Sequence, residues 1–255
     1  MTMTELDVSG QFEVELARRG AAYVRDAEGG YVLSVDGFEV RVSLANLERN
    51  VQRDGDPAAV ERFVADVLAS LAPEPSWERA RAHLFFAAES SELDFGDAIH
   101  VEVTAEVQRC LTLTNADESR ITFVTPQMCA DWGVDVATAS RAAEENQARL
   151  LEDVELEVTD IDGEPLGMVP IDSPYKASTM FASTFRAFVE RSMGWPVLVV
   201  IPCRDFIYVL RNDSPIVGRV GGVVVEEFQR SGYPITTEVL RVSSDGIEAL
   251  GRFAP

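Results

Sequence analysis

Several strand-like runs in this 255-residue chain follow one another across tight turns, with no helix between them. Tyr31-Val-Leu-Ser-Val35 and Phe38-Glu-Val-Arg-Val42 are separated by Asp36-Gly37, whose readily adopted left-handed conformations suit a two-residue hairpin. Val154-Glu-Leu-Glu-Val158 turns at Asp162-Gly163 into a second run at 165–170, Val197–Ile201 leads directly to Phe206–Leu210, and 237–243 to 246–251. Strands joined this closely pair antiparallel, because a parallel pair needs a crossover of a dozen residues or more. Further strand-like runs lie at 83–87, 99–103, 107–114 and 120–125. Helical patterns come singly, at 6–19, 57–71, 76–82, 135–151, 174–192 and 214–230. This order predicts an α+β fold, with antiparallel or mixed sheets and packed amphipathic helices, over a doubly wound parallel one.

The clearest helix is 57–71. Val60, Phe63, Val64, Val67, Leu68 and Leu71 share one stripe, Asp56 is placed to cap it, and Pro57 suits its first turn. The two prolines of Ala72-Pro-Glu-Pro-Ser76 cannot sit inside a regular element, so a boundary is expected there. The expected division is a small N-terminal subdomain over 1–72 and a larger α+β domain over 77–255. A chain of this length can bury a sizeable core without disulfide or metal staples.

Charge narrows the function classes. Asp and Glu number 43 against 22 Lys and Arg, a net charge of -21, which disfavours binding to a phosphate backbone. The acids are uneven. Residues 76–172 carry 21 of them against six arginines, whereas 173–255 are close to neutral. The middle third could therefore steer a basic partner, and the last third is where an anion would meet least repulsion. No apolar run approaches the roughly 18 residues of a membrane span. The N-terminus has no secretory pattern, and Cys110, Cys129 and Cys203 are sparse and odd in number. A reduced, cytoplasmic protein is expected, without membrane or nucleic-acid partners. His83 and His100 match no zinc spacing, Asp160-Ile-Asp-Gly163 lacks the later ligands of a calcium loop, and Gly218-Arg-Val-Gly-Gly222 lacks a phosphate-loop signature. No metal or cofactor is expected. The glycines at 218–222 are read as allowing close approach of another backbone within a helix.

Three places carry a resemblance. Arg120-Ile-Thr-Phe-Val-Thr125 runs through Trp132-Gly133 into the helix at 135–151, Tyr175-Lys-Ala-Ser178 opens a phenylalanine-striped helix, and Val199–Phe206 holds Pro202, Arg204 and Asp205 as a Pro-x-Arg-Asp turn. In these, and in the order of elements from about residue 76, the chain resembles a bacterial family of uncharacterised proteins typified by the YtpQ protein. Cys203 and the glycines of 218–222 depart from that pattern. The resemblance implies a fold and no activity.

Two functional readings stay open. In the first, a non-catalytic protein docks a basic protein partner on its acidic middle region. In the second, an enzyme or small-ligand binder uses the last third. There Lys176, the chain's sole lysine, would stand in the first turn of the 174–192 helix behind Ser173 and Pro174. A cation at that end opposes the helix dipole by about 0.3–1 kcal/mol. An anion held by Lys176, Ser178, Thr179 and free helix N–H groups would offset that cost, with Arg204 as a forked donor oriented by Asp205. This reading requires the 173–179 segment and the 202–205 turn to be neighbours.

Overall fold

The computed structural model describes residues 7–26, 29–35, 38–56, 58–69, 75–116, 118 and 120–254. The chain divides into two units, Met1–Glu74 with Arg230–Gly232, and Pro75–Gln229 with Tyr233–Pro255. Ala72, Pro73 and Glu74 of the expected boundary, together with Asp36-Gly37 and Pro57, lie outside the described residues.

In the first unit, α1 (Val8–Arg18) and the antiparallel sheet β1 (Ala22–Arg25), β2 (Tyr31–Val35), β3 (Phe38–Val42) share a core with α2 (Ala45–Asp54) and α3 (Ala59–Ala69). Asp7 caps α1 by accepting the Gly10 N–H at 2.8 Å. Its apolar stripe buries Phe12 and Leu16, and the Phe12 and Tyr31 rings meet edge-on at 4.8 Å. Asp56 accepts the Ala58 N–H at 2.9 Å just before α3. α2 carries no clear signal in the sequence, since its buried stripe is only Leu47 and Val51 on an otherwise polar helix.

The second unit holds two antiparallel sheets. In one, β6 (Val107–Thr114) has β4 (Leu84–Ser90) along one side, while β5 (His100–Glu102) and β7 (Ile121–Phe123) share the other. Around it stand the short α4 (Trp77–Ala80), α5 (Pro126–Asp131) and α6 (Val136–Arg149). The second sheet has the order β13-β12-β10-β11-β9-β8, with β8 (Glu157–Ile161), β9 (Glu164–Met168), β10 (Val197–Cys203), β11 (Phe206–Arg211), β12 (Glu238–Ser243) and β13 (Gly246–Arg252). Val197, Val199 and Ile201 of β10 face α7 (Phe185–Met193), and Leu198 and Val200 face α8 (Val217–Arg230). A strand covered on both faces has no polar alternation to show, which is why that run is continuously apolar. The described residues thus form an α+β fold of antiparallel sheets and packed helices.

Three local expectations are corrected. The strand read at 154–158 lies at 157–161, because Asp162 (φ 55°) and Gly163 (φ 86°) form a left-handed two-residue turn that pairs Ile161 directly with Glu164. The close approach in α8 is made by a side chain and at one glycine only: a Cβ on Gly221 would lie 2.7 Å from the Phe253 ring, whereas Gly218 and Gly222 face open space. The third concerns the helix expected over 174–192. It is a 3₁₀ turn, Ala177–Phe181, then a break at extended Ala182 (ψ 135°), then α7. The Ala177 N–H leaves any helical ladder to donate to the Arg204 carbonyl at 3.2 Å, and the Ser178 hydroxyl is drawn to β4.

Candidate functional site

The free edge of β4 explains where Ser178 goes. A terminal strand leaves backbone groups without partners, and here side chains supply them. The Ala88 N–H donates to Ser178 Oγ at 2.8 Å and the Phe86 N–H to Gln147 Oε1 at 3.1 Å. Gln147 Nε2 then donates to the Ser178 carbonyl at 2.9 Å, and Asn146 Nδ2 to that of Leu84 at 2.7 Å. Thr179 is fully buried and its hydroxyl donates to the Lys176 carbonyl at 2.7 Å. Both hydroxyls hold the fold together and neither faces a cavity. Neighbouring Tyr175 is likewise buried, stacked on Phe85 at 4.5 Å between ring centroids, with its hydroxyl pushed up to about 12 by burial.

Arg204 and Asp205 form the two-residue turn between β10 and β11, with Cys203 paired to Phe206. The bond from Ala177 makes this turn a neighbour of the 173–179 segment, as the ligand-binding reading required. The side chains then part. Arg204 extends to β4, where Nη2 and Nε donate to one oxygen of Glu89 at 2.6 and 3.1 Å, and its guanidinium lies 4.5 Å from the Tyr233 ring. The Glu89 side chain is 3% exposed and that of Arg204 15%. Burial pushes the Glu89 carboxyl up and Arg204 opposes it. The Cys110 thiol beside them is raised to about 12, first by burial and then by the Glu89 charge. Arg204 is therefore a committed partner of Glu89 and not an open fork for an anion.

Lys176 and Asp205 do line one open cleft of about 690 Å³, together with Glu118, Asp172 and Ser173, whose hydroxyl donates to Glu118 at 2.8 Å. Three carboxylates surround a single ammonium there. That field has the wrong sign for an anion, so the five residues Lys176, Ser178, Thr179, Arg204 and Asp205 do not assemble the expected anion site. The reason lies in the middle third: its acids reach into the last third and occupy its cations. Glu89 takes Arg204, Glu106 takes Arg252 at 2.7 Å, and Asp162 takes Arg219.

What stays exposed is a different acidic segment. Residues 152–164 carry seven acids and no base, and β8, the terminal strand of the six-stranded sheet, runs through them with Glu157–Asp160 exposed. Asp162 is paired with Arg219, and Asp160 accepts the Gly163 N–H at 2.9 Å. A second feature escaped the sequence reading altogether. Arg109, a polar position in the mostly buried strand β6, lies 4.5 Å from the Phe86 ring and 5.8 Å from that of Phe181. It lines a cleft of about 590 Å³. Among the described residues no group of His, Cys, Asp and Glu is arranged to hold a metal ion, and no helix is long and apolar enough to cross a membrane. Comparisons with family models, curated proteins and solved structures find no match, so the functional argument rests on these residues.

Proposed function

We propose that this chain is a binding protein that docks a basic protein partner along the acidic β8 edge. The observation that carries this reading is the concentration of seven acids and no base over 152–164, with Glu157 and Asp160 on the exposed terminal strand β8 and the others flanking it. An extended segment can add to such an edge through main-chain hydrogen bonds, with alternate side chains supplying specificity. Lysines or arginines on the incoming segment would meet Glu152, Glu155 and Glu157, and opposite charge would speed the encounter. The same acids also keep the edge from pairing with another copy, since like charges on both strands repel.

The test is titration of an extended lysine-valine alternating peptide against the full chain over a range of salt concentrations. Binding should weaken steeply with salt. It should fall at least tenfold in a Glu152→Gln/Glu155→Gln/Glu157→Gln variant, which leaves the turn acids Asp160 and Asp162 in place. Binding that is insensitive to salt, or unchanged in that variant, overturns the reading.

A further inference from the structure

The cleft containing Arg109 is independent of the acidic edge and has the opposite chemical character. Its walls are mixed, with Phe181, Phe185, Trp195 and Val242 forming an apolar part and Ser183, Ser243 and Glu102 polar positions. Two arginines reach it. Arg186 is occupied: its Nη2 and Nε donate to Glu190 at 2.9 and 3.1 Å, and it lies 5.6 Å from the Trp195 ring. Arg109 differs. It is half-buried between two phenyl rings, and among the described residues no carboxylate pairs with it and no acceptor takes its N–H groups. Aromatic faces stabilise a cation without neutralising it, and a partly desolvated charge with no counter-charge is held at a cost. Glu102 also lines the cleft, but in the strand pairing it stands opposite Gln108, and among the described residues it makes no ion pair with Arg109; Val101 is the residue opposite Arg109.

We infer that this cleft binds a small molecule with an apolar body and one carboxylate, the carboxylate paired to Arg109 and the body lying against Phe181 and Trp195. A planar guanidinium fork matches a carboxylate through two parallel hydrogen bonds. With one arginine free, the cleft provides for a single negative charge. The volume suits such a ligand, since small-molecule sites span about 300–1,000 Å³.

Isothermal titration of the full chain with octanoate, 1-octanol and octyl phosphate tests this. Octanoate should bind saturably and at least tenfold more tightly than 1-octanol, which has the same body without the charge. Arg109→Gln should remove that preference. Val101→Glu, at an exposed position lining the same cleft, places a carboxylate opposite Arg109 and should weaken octanoate at least tenfold more than it weakens 1-octanol; it carries the test if Arg109→Gln fails to fold. Equal binding of octanoate and 1-octanol, absence of octanoate binding, tighter binding of octyl phosphate than of octanoate, or octanoate binding unaffected by Val101→Glu overturns the inference.

Discussion

Arg204 and Glu89 stand 115 positions apart in the chain, and their side chains meet at 2.6 Å, joining the β10–β11 turn to the free-edge strand β4. Both are largely withdrawn from water, so each charge depends on the other. Removing one partner of such a pair costs about 3–5 kcal/mol, while replacing both by apolar residues of similar volume is often neutral or stabilising. Glu89→Gln and Arg204→Met should each lower the unfolding free energy by that order. The double variant Glu89→Leu/Arg204→Met should recover most of the loss. Denaturant melts of the three proteins check this, and additive losses would contradict it.

The edge of β4 gives a second expectation. Ser178→Ala leaves the Ala88 N–H without its acceptor in a buried place, which costs about 1–3 kcal/mol. Hydrogen exchange should show the Ala88 amide accelerated more than its neighbours on the β6 side. Unchanged protection at Ala88 would mean that the hydroxyl is not what closes this edge.

A pH dependence follows from Glu238. It is buried, takes a hydrogen bond from the Thr104 hydroxyl at 2.5 Å, and is raised first by burial and then by the Glu106 charge, with Thr104 and Arg252 opposing. A carboxyl raised in the folded state is bound to its proton more tightly there than in the unfolded chain. Its favourable contribution is therefore present at low pH and is lost as pH rises from the ordinary carboxylate range through the folded value. Glu238→Gln, which keeps an acceptor for Thr104, should raise the melting temperature at neutral pH and leave it nearly unchanged at about pH 4. Melting curves across that interval decide, and a variant equally shifted at both ends would reject the assignment.

Adjacent glycines in α8 should behave oppositely. Gly222 is exposed with open space about it, so Gly222→Ala should stabilise by about 0.5–1 kcal/mol through helix propensity. At Gly221 the new methyl meets the Phe253 ring at 2.7 Å. Gly221→Ala should lower stability and displace the segment that follows β13. Chemical denaturation of both variants, with the Phe253 ring resonances as a local probe, separates the two outcomes.

Much of the architecture is legible in the residues because its causes are local. The eight residues of β6, 107–114, and the doubly covered run at Val197–Ile201 follow from side-chain pattern alone, and the Arg204-Asp205 turn from its place between two apolar strands. The 174–192 segment is different. Its phenylalanine stripe fits a helix, yet the bonds that break it come from Arg204 and Ala88, which no periodicity can announce. The ligand-binding reading required the 173–179 segment and the 202–205 turn to be neighbours, a condition no pattern in the residues could decide, and its use of Arg204 fails because the partner, Glu89, lies 115 positions upstream. Arg109 shows no signal at all: an arginine in a strand looks like an outward-facing residue until Phe86 and Phe181 are seen beside it.

The placement of Cys110 next to the Glu89–Arg204 pair gives the molecule a built-in reporter. With its acidity set at about 12 and no exposed surface, the thiol stays protonated and shielded while the sheets are closed, and only thiolate reacts readily with alkylating reagents. The rate at which iodoacetamide labels Cys110 therefore counts the openings of that junction in a protein that carries no substitution.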